Sequence, residues 1–72
     1  MYSFSNPKPE PGSKQHWLIM ETEVRMIARD MVRTGEANVS YINDVAAANY
    51  PEVPYKRIKQ LVLEGMLLAK NN

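Results

Sequence analysis

The 72-residue chain carries nine Lys and Arg against eight Asp and Glu, a formal charge of +1, with 44% hydrophobic and 24% charged residues. That balance fits one small globular domain and excludes nucleic-acid binding through bulk charge, so any basic surface must be local. With no cysteine and one histidine, His16, disulfides and thiolate metal sites are excluded, and no metal site is expected.

A chain this short buries little apolar surface against its conformational entropy, so tight helix packing or self-association has to close the gap. No apolar run approaches the roughly 20 residues that span a bilayer, and the start has no apolar signal-peptide core. A cytoplasmic protein with no membrane partner is expected. There is no Ser-His-Asp set, no nucleophilic cysteine and no glycine-rich phosphate loop, so neither an enzyme nor a cofactor or small-molecule substrate is expected.

Residues 1–13, MYSFSNPKPEPGS, alternate Pro7, Pro9 and Pro11 with Lys8, Glu10 and Gly12. Such a stretch has no apolar face and lacks backbone donors, which predicts a flexible proline-rich tail. The domain proper is then 14–72. Residues 14–34 read as the longest helix, with Ser13 as N-cap and Gly35 just past its end. Trp17, Met20, Val24, Ile27, Ala28, Met31 and Val32 share one face at the helical period. Glu21, Arg25, Arg29 and Arg33 form a row at spacing four, expected as a solvated face in which Glu21 supports Arg25. Leu18, Ile19 and Met26 lie away from the core face and are the candidate dimer contact.

Residues 36–39 connect, and Val39 is a candidate one- or two-residue strand. Ser40 is expected to cap a second helix, YINDVAAANY, in which Ile42, Val45, Ala46 and Asn49 share a face. The small side chains of Ala46-Ala47-Ala48 let another helix approach. Pro51 ends the segment. A third helix is expected to begin between Glu52 and Pro54, with Pro54 in its first turn. Tyr55, Ile58, Leu61 and Val62 occupy one arc. Lys56, Arg57, Lys59, Gln60 and Glu64 occupy the other, and Leu63 falls among them. Gly65 reads as a helix stop, and Met66-Leu67-Leu68-Ala69 after it as a strand.

The order of a capped alanine-rich helix, a proline turn, a basic helix, glycine and an apolar run resembles the winged helix-turn-helix family. Residues 39–69 carry the resemblance, above all Arg57–Ala69, RIKQLVLEGMLLA, which is similar to the family's recognition helix passing into the wing. It implies a mainly α fold: a three-helix helix-turn-helix core with a short, truncated C-terminal wing strand. It also implies double-stranded DNA as partner and a small transcriptional regulator as function. The chain departs from the family pattern in having room for at most one wing strand, and in placing Glu52 where a Ser or Thr often contacts phosphate.

The major groove, about 12 Å wide, accepts one helix with cationic and amide side chains outward. Helix 52–64 therefore supplies the candidate DNA contacts Tyr55, Lys56, Arg57, Lys59 and Gln60. Arg33 and Lys70 are second-rank phosphate contacts. One such module binds weakly at physiological salt, so a homodimer on two half-sites is expected. A small regulator from a phage or mobile element fits the size. The competing expectation is a winged-helix adaptor that binds a protein partner and no DNA, favoured by the near-neutral charge, Glu52 and Leu63.

Overall fold

The computed structural model describes residues 12–71, which form three helices: α1 (Lys14–Arg33), α2 (Val39–Asn49) and α3 (Tyr55–Lys70). The expected proline-rich tail lies outside the described residues apart from Gly12 and Ser13. Among the described residues there is no strand. The mainly α, three-helix expectation therefore holds, while the wing strand does not appear.

The first helix begins and ends where its sequence dictates. The Ser13 side chain accepts the His16 N–H at 3.1 Å, satisfying one of the donors that a helix start leaves open. At the other end Gly35 adopts φ +103°, which a side chain would strain. The chain then folds back so that the Gly35 N–H reaches the Val32 carbonyl (3.0 Å) and the Glu36 N–H reaches that of Met31 (2.9 Å). This paired closure satisfies two of the terminal carbonyls.

The start of α2 differs from expectation. Asn38, not Ser40, is the cap: its side chain accepts the Tyr41 N–H at 3.1 Å. Glu36 in turn accepts the Asn38 N–H at 3.0 Å. Asparagine caps as well as serine does, and the earlier start makes Val39 the first helical residue instead of a strand. The buried face also rotates. Ile42 and Ala46 are buried as expected, but Asn43 is the buried asparagine. Asn49 is exposed and its amide donates back to the Val45 carbonyl at 2.8 Å.

Helix α3 starts later and ends later than expected. Pro54 is its N-cap, outside the helix, and its carbonyl accepts the N–H groups of Arg57 and Ile58, both at 2.9 Å. Glu52 accordingly lies in the exposed turn before the helix. Gly65 does not stop the helix, and Met66-Leu67-Leu68-Ala69 continues it to Lys70. Gly65 is buried against α1. A Cβ there would fall onto the Arg25 carbonyl oxygen and within 2.8 Å of the Ala28 Cβ. The glycine is therefore a close-approach residue, and the apolar run belongs to the helix that makes the approach.

The core unites Met20, Val24 and Ala28 of α1, Ile42 and Ala46 of α2, Val53 of the turn, and Ile58, Leu61 and Val62 of α3. Trp17, Met31, Val32, Ala47, Tyr50 and Met66 pack around it, half-buried. The main contact is between α1 and α3. Glu21 meets Arg57, Arg25 meets Glu64 and Ala28 faces Gly65, so these two helices run in the same sense. α2 returns the chain between them. Tyr50 ties the α2–α3 turn to α1 by donating its hydroxyl to Glu23 at 2.5 Å. Burial first, and then the Glu23 bond, push the Tyr50 phenol up to about 12.

Candidate functional site

The burial of Ile58, Leu61 and Val62 on one side of α3 leaves an outward stripe on the other. At spacings of three and four it carries Lys56, Lys59, Gln60, Leu63, Leu67 and Lys70, all exposed. The N-terminal half of this stripe is cationic and polar. The C-terminal half is apolar: Leu63 is 55% exposed and Leu67 57%.

The five expected contact residues of α3 divide accordingly. Lys56 and Lys59 are exposed and belong to none of the ion pairs found among the described residues. Gln60 is exposed, and its carbonyl oxygen accepts a 3.0 Å bond from Arg57. Tyr55 has an exposed ring, but its hydroxyl turns back to α2 and donates to Asp44 at 3.3 Å. Desolvation of the hydroxyl first, then the Asp44 carboxylate, raises its phenol above the usual range. The core-arc expectation for Tyr55 therefore fails, because the ring lies over the α2–α3 junction instead of inside the core.

Arg57 is drawn away from the stripe. Its guanidinium meets both carboxylate oxygens of Glu21, at 2.9 and 3.0 Å. This two-point geometry suits a guanidinium in a way an ammonium cannot match. The bond to Arg57 holds the Glu21 carboxyl below its ordinary value, against the desolvation that raises it. Arg57 thus braces α3 on α1.

The expected solvated arginine row is corrected by the same geometry. Glu21 pairs across to Arg57, and not along its own helix to Arg25. Arg25 pairs across to Glu64 at 2.6 Å. Arg29 is held by the neighbouring Asp30 at 3.0 Å. The first half of the row is an interhelical clasp. Arg33 remains exposed at the end of α1, and Lys70 at the end of α3. Fourteen residues of helix separate Lys56 from Lys70, a rise of about 21 Å. The two second-rank cations therefore lie at the opposite end of α3 from Lys56 and Lys59.

Among the described residues, exposed apolar side chains cluster on α1 and on α3. On α1, Leu18 (55% exposed) and Ile19 (42%) line a shallow groove with Gln15, Thr22 and Glu23. Met26, also exposed, lies outside that groove. On α3, Leu63, Met66, Leu67 and Lys70 line a second groove. The continuation of α3 beyond Gly65 creates this second surface. Its signal was present in the sequence: Ile58, Leu61, Val62, Gly65 and Ala69 keep the helical period straight through the glycine.

No group of three or more potential metal ligands occurs among the described residues, and no described helix is long and apolar enough to cross a membrane. Comparison of the chain with protein-family models, with curated proteins and with solved structures gives no match.

Proposed function

We propose that the protein is a small sequence-specific DNA-binding regulator of the cytoplasm, in which α2 and α3 form a helix-turn-helix and α3 enters the major groove. The observation that carries this reading is the pairing of opposite properties on one short helix. Ile58, Leu61 and Val62 fix α3 to the core, while Lys56 and Lys59 project one turn apart with no carboxylate partner among the described residues. Lysine at these positions supplies phosphate contacts, and the amide of Gln60 is suited to an adenine edge. Arg57 acts from behind by setting the angle of α3 on α1. Tyr55 contributes its ring at the helix start. The reading needs no wing.

A few phosphate contacts from one module give weak, salt-sensitive binding, so a second copy of the chain on a neighbouring half-site belongs to the proposal. The test is a titration of random-sequence duplex DNA at two salt concentrations, followed by heteronuclear NMR. Salt-sensitive binding with shifts concentrated in Tyr55–Gln60 is expected. No binding at low salt overturns the reading. The second reading, a protein-interaction module without DNA binding, is favoured by the exposure of Leu63, Leu67 and Leu68 further along the same helix. It takes over if DNA leaves the spectrum unchanged.

A further inference from the structure

The exposed face of α1 carries one pattern read from either end. Its groove is lined by Gln15, Leu18, Ile19, Thr22 and Glu23, and exposed Lys14 stands one turn before Leu18. The apolar pair Leu18 and Ile19 sits at the middle. Outward from it, Gln15 is as far from the centre as Thr22, and Lys14 as far as Glu23. The two ends are opposite in charge. Lys14 joins none of the ion pairs found among the described residues, and the first turn of α1 holds no acidic residue. A lysine is unfavourable at the positive end of a helix dipole, where a carboxylate is the group that suits. Glu23 accepts the Tyr50 hydroxyl on Oε1 and joins no ion pair among the described residues.

We infer that α1 is the seat of a symmetric homodimer, in which the α1 groove of one copy lies antiparallel on the α1 groove of a second. In that register Leu18 meets Ile19 of the other copy, and Gln15 stands level with Thr22. Glu23 stands level with Lys14 and with the positive start of the other α1, once at each end. The Thr22 hydroxyl donates to its own Leu18 carbonyl at 2.8 Å, which leaves its oxygen to accept from the Gln15 amide. Charge selects this arrangement. A parallel pairing of the same grooves sets Lys14 on Lys14 and Glu23 on Glu23. The α3 groove is not self-complementary: Lys59 and Lys70 flank its leucines, and Glu64 beside them is bound to Arg25. Two α3 grooves therefore set lysine on lysine, and an α3 groove on an α1 groove does so at one end. Because both copies use the same patch, the contact is isologous and closes at two. Met26 falls beyond the start of the other α1, outside the contact. The inference gives the DNA reading a surface for its second copy, but it does not rest on that reading and is measured without DNA.

The experiment is sedimentation equilibrium on the full chain up to about 1 mM, where contacts of this small size become populated. The weight-average mass is expected to rise with concentration and to level at twice the 8.3 kDa of one chain. Lys14→Glu and Glu23→Lys each set like charges at both ends of the contact, and each alone should stay monomeric. Mixed in equal amounts they should form a one-to-one dimer, because a carboxylate then meets a lysine at both ends. Both positions are exposed, so both variants are expected to keep the wild-type circular dichroism. Dilution of the wild type, followed by its amide shifts, should move Lys14–Glu23 and leave Leu63–Lys70 in place. That map decides the matter should Glu23→Lys, which gives up its bond from Tyr50, fail to fold. A wild-type chain that stays monomeric overturns the inference, as does one that grows past two copies or whose shifts move at Leu63–Lys70 instead. A Lys14→Glu chain that still dimerises, or a mixture of folded variants that stays monomeric, overturns it as well.

Discussion

Gly65 decides how closely α3 can approach α1. Within a helix, exchange of glycine for alanine gains about 1 kcal/mol through backbone entropy. Here the new methyl would fall onto the carbonyl oxygen of Arg25, which is backbone and cannot rotate aside. The helices would have to part, opening the contact that holds most of the core. Gly65→Ala is therefore expected to lower stability by a net of about 1–3 kcal/mol, the usual cost of overpacking. At this size that is a fall of about 4–8 °C in Tm for each kcal/mol, read by thermal denaturation. A variant as stable as the wild type would show that the two helices do not meet as closely as described.

The Glu21–Arg57 pair makes a different kind of prediction, since it is half open to water and responds to pH. The folded carboxyl lies below its unfolded value of 4.5, chiefly through its bond to Arg57. A depressed carboxyl contributes stability above the unfolded value and loses it as pH falls through the folded one. With Arg57 37% exposed, solvent screening limits the contribution to about 1 kcal/mol or less. Glu21→Gln should thus cost up to about 1 kcal/mol at neutral pH and less at about pH 3, below the unfolded value. Urea denaturation at the two pH values checks this. An equal cost at both would mean that the side chain acts through packing and not through its charge.

At the scale of the element, α3 is one helix with two jobs divided along its length. If its first turns contact phosphate, removal of Lys56 and Lys59 should weaken binding to all duplex sequences alike. It should also lower the salt slope by about two, one for each lysine. Because both side chains are exposed and outside any described ion pair, Lys56→Ala with Lys59→Ala should leave Tm almost unchanged. Unaltered DNA affinity in that double variant would remove α3 from the interface. The core face of this helix was legible in the sequence, because Ile58, Leu61 and Val62 repeat at the helical period. Its end was not. A glycine followed by four apolar residues fits both a stop before a strand and a continuing buried helix. The deciding partner, the carbonyl of Arg25, lies forty residues away in the chain. A separation of 36 residues likewise hid the pairing of Arg57 with Glu21, since a basic residue on a polar arc looks identical whether it faces solvent or an acid on another helix. The two ends of α1 were easier to read because they are local: Ser13 and Gly35 act on the neighbours they precede and follow, whereas at α2 the cap is Asn38 and not the expected Ser40.

At the scale of the whole molecule, the distribution of the core matters more than its size. The proposed DNA-reading half, α2 and α3, buries Ile42, Ala46, Ile58, Leu61 and Val62, but the other wall of that core is Met20, Val24 and Ala28 of α1. Two of the interhelical ion pairs and the Tyr50–Glu23 bond also end on α1. A fragment of residues 36–72 would expose this face to water. Neither remaining helix is long enough to be stable alone, since isolated helices below about 12–15 residues are marginal and α3 only just exceeds that. The fragment is therefore expected to show little helical circular dichroism, no cooperative melt and no salt-dependent DNA binding. Addition of a separate peptide covering residues 12–35 should restore the helical signal by rebuilding the missing wall, and should do so saturably with peptide concentration. A fragment that melts cooperatively by itself would mean that α2 and α3 hold each other. The α1 clasp, with Gly65 at its centre, would then be an addition to the fold and not its foundation.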